Sequence, residues 1–444
     1  MPKNYDVIVV GAGFAGATAA RECAVRGLRT LVLEGRDHVG GRTWTSQMSD
    51  GQLVDIGGTY VHWRQPHVWA EITRYGLADD LVPGAVAPDQ CFAPSSSGMA
   101  WVDAAEYDKR ESALLDKLFQ ESRRYFPQPF QPLLRRADVE KLDRTTVREW
   151  MDRFDLSEED DALVTQALTY ETMRSAEESS ILTWMRWWSV SGGDADSVYE
   201  AILGFKLARG TASLLNAMLA DGGAEVRLGE AVTTVESTGQ GVRVSTAGGR
   251  TYSSAAVVIA TPTGVWPHID FSPALSPERI QAAREGMQGA TGAAKILIRI
   301  KGEPRNINVL NRPGRPLDAV WTDSRQSADE QTVVAIATGG MTDPGDPAEV
   351  AAALRELLPH VEVVDVVPGV YGMDDEFSRG AWMYYGLGQL SGYEPHTRFM
   401  ELEGRIAFAT ADIATGWVGY IDGAIETGLR AARAVRQVVL SDRR

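Results

Sequence analysis

Cysteine is scarce in this chain of 444 residues: there are two, Cys23 and Cys91. Two thiols make no disulfide framework, so a reducing, cytoplasmic setting is expected. Positive charge is also short. Lys and Arg number 44 against 60 Asp and Glu, a net charge of −16, which argues against nucleic acid or an anionic membrane as partner. No apolar run approaches the roughly 20 residues of a membrane span. The first strand opens by Asp6, leaving no room for a signal peptide. Repeats are absent, and the only biased stretch is the short proline-rich run Phe126 to Pro132. No Ser/His/Asp triad or metal-ligand spacing stands out, so no metal is expected.

What is present is an ordinary globular composition, 44% hydrophobic and 23% charged, over a length that implies two associated domains. The most informative stretch runs from Asp6 to Arg42. Asp6 to Val10 reads as a buried parallel strand, Gly11-Ala-Gly13-Phe-Ala-Gly16 follows, Ala17 to Arg26 reads as a helix, and Thr30 to Leu33 is a second buried strand ending on Glu34. This is a βαβ unit with the dinucleotide fingerprint. Gly11 permits the turn, Gly13 lets the backbone approach a pyrophosphate, Gly16 lets the helix pack close, and Glu34 is placed for ribose hydroxyls. The continuation Gly35-Arg36-Asp-His-Val-Gly40-Gly41-Arg42 is similar to the extended flavoprotein motif. Its glycines suit close backbone approach and its arginine suits phosphate. FAD rather than NAD is therefore expected, with Arg36 among its contacts.

Further along, Gly57-Gly58-Thr59-Tyr60 follows a strand end, again a place for backbone to approach a ligand, with His62 two residues on. From Leu81 to Phe205 the chain reads as a helical insertion: a polar helix over 103–126, and capping boxes at Ser157/Asp160 and Ser175/Glu178 that start helices over 158–173 and 176–190. Trp184, Trp187 and Trp188 read as core, with a cavity wall as the alternative. Tyr170 and Glu171 at a helix end are candidate substrate contacts. Short alternating runs between Glu225 and Tyr252 read as a small meander that includes Val232 to Ser237. Lys295 to Ile300 alternates, with Lys295, Leu297 and Arg299 on one face and the isoleucines on the other. Strands at 319–321, 332–338 and 361–367 and a helix at 347–358 complete an α+β region. The chain closes on a strand at 405–410, Ala411-Asp412, and a glycine-flanked helix start at Tyr420-Ile421.

With these pieces in order, the chain resembles the flavin-dependent amine oxidases, the monoamine oxidase family, and within it the bacterial 6-hydroxynicotine oxidases. The resemblance implies an α/β architecture. A discontinuous, Rossmann-like FAD-binding domain is expected over 1–80, 206–266 and 395–444. An α+β substrate domain carrying the helical insertion is expected over 81–205 and 267–394. It implies that Gly57, Gly58 and Thr59 lie against the flavin, that the strand at Val232 holds the adenine, and that Asp412 and Ile421 lie near the cofactor. Lys295 resembles the lysine that holds a water at flavin N5. Trp382 and Tyr420 take the positions of the aromatic sandwich that orients the amine. Tyr60, His62, Tyr170 and Glu171 are the candidate substrate contacts. No cysteine stands near Ala381, where monoamine oxidases carry their flavin link, so FAD is expected to be non-covalent. Relatives are often homodimers.

The implied reaction is oxidation of a C–N bond in a small amine, with hydride passing to the flavin and dioxygen reduced to hydrogen peroxide. Three alternatives stay open: an L-amino acid or polyamine oxidase of the same fold, an amine dehydrogenase with a protein electron acceptor, and a non-catalytic FAD-binding protein. A carboxylate substrate would call for a cavity arginine, with Arg64, Arg174 and Arg186 as candidates.

Overall fold

The computed structural model describes residues 5–95, 98–172, 174–285, 293–311, 315–337, 340–371, 375–392 and 398–443. Its opening unit is strand β1 (Val7–Val10), helix α1 (Phe14–Ala24) and strand β2 (Thr30–Leu33). The helix starts three residues before the expected Ala17, because Gly13 itself is the N-cap and accepts the first helical bond from Ala17 N at 2.8 Å. β1 and β2 pair in parallel and lie inside a five-stranded sheet. The order is Ile406–Phe408, Ala256–Ile259, β1, β2, Glu225–Arg227. The period-2 alternation of β1 divides it between two cores. Val7 and Val9 pack under α1 and the C-terminal helix Ile421–Asp442, whereas Ile8 and Val10 face the opposite layer. Gly428 of the C-terminal helix lies so close to α1 that a Cβ there would sit 2.5 Å from the Ala15 carbonyl oxygen.

A four-stranded sheet covers one side, in the order Thr251–Ser254, Gly241–Thr246, Val232–Thr238, Asp270–Ser272. The expected meander is corrected at its first member: Glu225–Arg227 leaves it and pairs with β2.

The third sheet has seven strands, in the order Glu362–Tyr371, Ala293–Lys301, Glu330–Ala337, Ala319–Arg325, Ile307–Leu310, Gln90–Ser95, Gly98–Asp103. Ile296, Ile298 and Ile300 face one core and Leu297 another, as the alternation predicts. Each buried isoleucine contributes roughly 1.5–3 kcal/mol relative to exposure. The last two strands correct the reading of 81–205 as purely helical.

Within that region the helices are Ala104–Phe119, Ser122–Tyr125, Arg136–Leu142, Val147–Met151, Glu158–Thr172, Leu182–Ser191 and Ala195–Leu203. Ser157 does cap its helix, accepting from Asp160 N at 3.1 Å. Ser175/Glu178 does not. The Ser175 carbonyl accepts from Glu178 N (3.1 Å) and Ser179 N (3.0 Å) in a single turn, after which the Ser179 carbonyl is taken by Val147 N (2.8 Å) and Ile181 N by the Thr145 carbonyl (3.2 Å), which delays the helix to Leu182. Met173 and Thr338, each the end of an expected element, lie outside the described residues. Among the described residues no helix is long and apolar enough to cross a membrane.

Candidate active site

The carboxyl ends of the parallel strands meet at one edge, and a long cavity opens there. One end is built by the glycine run and β2. Glu34, buried, accepts from Ala12 N at 2.7 Å and from Arg36 N at 3.0 Å. Gly16 admits no side chain: a Cβ would lie 1.9 Å from the Gly11 carbonyl oxygen. A Cβ on Gly41 would lie 3.4 Å from the Gly13 Cα, so two glycine backbones face each other across the cavity wall. Val232, Ala231 and Glu230 line the same end.

The two arginines are already paired. Arg42 lies 2.7 Å from buried Asp412, donates to the Ala381 carbonyl at 3.1 Å and reaches Thr410 Oγ1 at 3.4 Å. Asp412 Oδ2 accepts from Thr263 N (3.0 Å), Thr263 Oγ1 (3.2 Å) and Thr410 Oγ1 (3.1 Å). Arg36 donates to both oxygens of Asp375 (2.8 and 2.6 Å) and to Ser378 Oγ (3.1 Å). Phe377 beside it fills the space over Gly35, where a Cβ would come within 2.3 Å of its ring.

Whether this end suits a flavin dinucleotide is answered by its parts. The glycine cradle leaves backbone N–H groups at the start of α1 facing the cavity, the acid at the end of β2 is in place, and Thr261 Oγ1 is buried on the cavity wall without a partner among the described residues. The residues fit the group. Neither cysteine is near enough to link it: Cys23 and Cys91 are buried and do not line the cavity.

The other end is aromatic. Gly57, Gly58, Thr59, Tyr60, Tyr170, Trp187, Trp321, Trp382, Met383 and Tyr420 line it together with Ile202, Leu203, Ile336 and Val418. Tyr420 is the N-cap of the C-terminal helix, and Ile421 its first residue lines the cavity too. The Tyr420 ring is held edge-on by Trp417 (5.2 Å) and Trp187 (6.0 Å). Trp184 and Trp188 are fully buried, so of the three tryptophans on that helix only Trp187 is cavity wall.

Lys295 enters from the strand Ala293–Lys301. Its Nζ donates to the carbonyls of Asp55 (2.7 Å) and Gly57 (3.1 Å) and to Thr59 Oγ1 (2.5 Å). Those contacts use all three donors of an ammonium. To hold a water, Lys295 must release one of them. Burial pushes its pKa from 10.5 down to about 8, opposed by the nearby charges of Asp55 and Asp323. Burial also pushes the Asp55 carboxyl up, although Thr45 and Thr211 bond to it.

The structure does not bring His62 to the cavity. Its side chain is fully buried, its Nδ1 accepts from Arg64 N at 3.1 Å, and its ring stacks on Phe205 at 5.7 Å. The expected substrate contact is replaced by a packing role, because Val61 is bridged to Phe205 and the His62 ring stacks on the same residue. Glu171 lies in the last turn of Glu158–Thr172, and its side chain lies outside the described residues. The candidate cavity arginines are all committed elsewhere. Arg174 Nε donates to Tyr384 Oη at 2.6 Å, Arg186 holds Tyr385 Oη and the Gly416 carbonyl, and Arg64 holds the Ser191 carbonyl. None of the three lines the cavity.

Sequence reasoning missed Glu230, Trp321 and Phe377 as cavity residues. Trp321 stood inside an expected strand, where its alternation with the buried Val320 was the available signal. Phe377 had none except the unexplained Gly35 opposite it.

A family model described as flavin containing amine oxidoreductase matches residues 14–436. A pseudooxynicotine dehydrogenase of Pseudomonas sp. is 35% identical over 96% of this chain and 85% of its own length. An (S)-6-hydroxynicotine oxidase of Paenarthrobacter nicotinovorans is 31% identical over 97% of this chain and 99% of its own. Among solved structures, a putrescine oxidase double mutant superposes with a TM-score of 0.79 at 22% identity, covering 98% of this chain and 99% of that one. At that identity it speaks for the fold alone.

Proposed function

Because the chain belongs to the flavin-containing amine oxidoreductases, we propose that it oxidises the C–N bond of a small amine with an apolar, aryl-bearing body and no carboxylate. The observation that carries this reading is the lining of the aromatic end. Among the described residues Lys295 is the one charged side chain there; Glu34, Arg36, Arg42 and Glu230 belong to the dinucleotide end. An amino acid substrate would leave its carboxylate without an arginine, and a diamine would leave its second ammonium without an acid. Burying either charge unpaired is costly.

FAD, held non-covalently by the glycine cradle, Glu34 and the strand at Val232, would supply the two-electron acceptor for the hydride. The chain's own residues bind and orient. The flat faces of Trp382 and Tyr420 flank the amine, with Trp187 and Trp417 fixing the second ring. The walls exclude water and carry no carboxylate, so the amine is bound in its neutral form, with its nitrogen lone pair free to assist loss of hydride from the adjacent carbon. No strong general base is needed. The iminium product adds water, and the adduct separates into a carbonyl compound and an amine. Lys295 holds the segment Asp55 to Thr59 in place and, by releasing Thr59, holds a water beside the cofactor. The closing end of the reading is dioxygen reduced to hydrogen peroxide. The dehydrogenase name of the pseudooxynicotine relative favours a protein acceptor as the second reading. The reading also includes a homodimer in the cytoplasm, which sedimentation of the purified protein checks in its first part.

The test is anaerobic. Yellow protein is mixed with nicotine, 6-hydroxynicotine, aryl-alkyl amines, putrescine and L-amino acids, and the visible absorption of the flavin is followed. Bleaching by aryl-bearing amines and not by amino acids is expected. Bleaching by amino acids alone, or by no amine while FAD is bound, would sink the proposal. Readmitting air then separates oxidase from dehydrogenase.

A further inference from the structure

One hydroxyl in the aromatic end has a fixed direction and no described partner for its proton. Tyr60 Oη lies 3.1 Å from Trp321 Nε1. An indole N–H can only donate, so the Tyr60 oxygen is the acceptor in this pair and its own proton must point elsewhere. Conjugation with the ring keeps a phenolic O–H near the ring plane, so that proton lies on the side away from Trp321. Among the described residues no acceptor takes it. Burial pushes the Tyr60 pKa far above its ordinary 10, so the proton is present at every working pH.

Both partners are held in position. Trp321 sits in the strand Ala319–Arg325, paired with Asn308 on one side and Val334 on the other. Tyr60 is backed by Gly84, where a Cβ would come within 3.0 Å of its ring, and the ammonium of Lys295 lies 5.8 Å from the ring centre. Both aromatic rings line the cavity. Tyr60 is half-buried on the cavity wall, so its proton faces the space a ligand would take, and a site with a fixed donor favours the ligand that supplies its acceptor.

We infer that Tyr60 is a specificity-determining donor: it gives a hydrogen bond to an acceptor atom of the substrate outside the reacting C–N bond, a heteroaromatic nitrogen or a carbonyl oxygen. This rests on the proposed amine oxidation for its kinetic arm only, and it narrows the substrate class from aryl-bearing amines to those whose apolar body carries one such acceptor.

The experiment uses the FAD-loaded protein and Tyr60→Phe. Two probe pairs of equal shape are compared: ethylpyridine against ethylbenzene, whose binding is read from perturbation of the flavin spectrum, and a pyridyl-alkyl amine against the phenyl-alkyl amine of equal chain length, read as kcat/KM. Pyridine is better hydrated than benzene, so the raw preference in one protein mixes desolvation with recognition. The ratio of the pyridyl/phenyl preference in wild type to that in Tyr60→Phe cancels the ligand's desolvation. That ratio should be roughly tenfold in both pairs. Trp321→Phe, which frees the hydroxyl to rotate, should fall between the two proteins and serves if Tyr60→Phe does not hold FAD. A ratio near one overturns the inference. So does an equal loss for both members of the amine pair, which would assign the hydroxyl to the amine nitrogen itself. If neither amine is oxidised while the ethylpyridine ratio holds, the proposed function fails and the donor assignment stands.

Discussion

Replacing Lys295 by methionine keeps the length of the side chain and removes its charge and its donors. The drop in pKa from 10.5 to about 8, at about 1.4 kcal/mol per pH unit, means that the charged amine costs the fold about 3 kcal/mol near pH 7. The three hydrogen bonds to Asp55, Gly57 and Thr59 stand against that cost at about 1 kcal/mol each. The variant should therefore lie within about 2 kcal/mol of wild type at neutral pH. The pH dependence separates the two terms. Below about pH 8 the lysine is protonated in both folded and unfolded chains, and the full penalty is present. Between about pH 8 and 10.5 the unfolded chain still binds a proton that the folded one has released, so the stability of wild type rises with pH. Above that window the penalty is gone. The other titrating groups are common to both proteins and cancel, apart from Asp55, whose carboxyl is pushed further up in the variant by loss of the Lys295 charge. Urea unfolding of the apoproteins, followed by tryptophan fluorescence, should show wild type gaining roughly 2 kcal/mol on the variant between about pH 7 and pH 10. Turnover or flavin reoxidation of the loaded variant should fall at least about tenfold. Stability curves that run parallel across this range would refute the desolvated placement of the amine, and wild-type rates in the variant would refute its role in the reaction.

Trp382→Ala should lose turnover by at least about tenfold while keeping a flavin spectrum, since the ring lies at the aromatic end of the cavity and not at the glycine cradle; undiminished turnover would remove it from the sandwich. Gly16→Ala places a Cβ against the Gly11 carbonyl oxygen, a backbone atom held by the turn, and FAD affinity by equilibrium dialysis should fall at least about a hundredfold. Asp375→Asn loosens the Arg36 contact that closes the dinucleotide end. That pair is partly exposed and worth about 1 kcal/mol, so the rate of FAD release should rise by up to about fivefold, and the apoprotein, which holds the same pair, should melt about a degree or two lower.

The elements that were legible from residue order are those whose physics is local. The turn at Gly11 and the acid at Glu34 depend on contacts within one βαβ unit. The two faces of the Lys295 strand follow from its period of two, and the structure keeps them. The miss at Ser175/Glu178 had the opposite origin. The local capping signal was present, but Val147 and Thr145 claim the backbone of the following residues, and a tertiary hydrogen bond outweighs a cap. His62 misled for a related reason: a residue in a turn has no periodicity to say which way it faces.

By itself, then, the order of residues determined the dinucleotide fold and the flavin motif, because both rest on spacing within one βαβ unit and its continuation; Lys295, Trp382 and Tyr420 were singled out by the resemblance to the family. Only the tertiary structure decided what those residues face. Tyr60 meets Trp321 across 261 positions and Arg36 meets Asp375 across 339. Only folding brought Arg42 to Asp412, and only folding turned Arg64, Arg174 and Arg186 away from the cavity. Partners so distant in sequence share no local pattern, and which ones meet is set by how three sheets pack against one another.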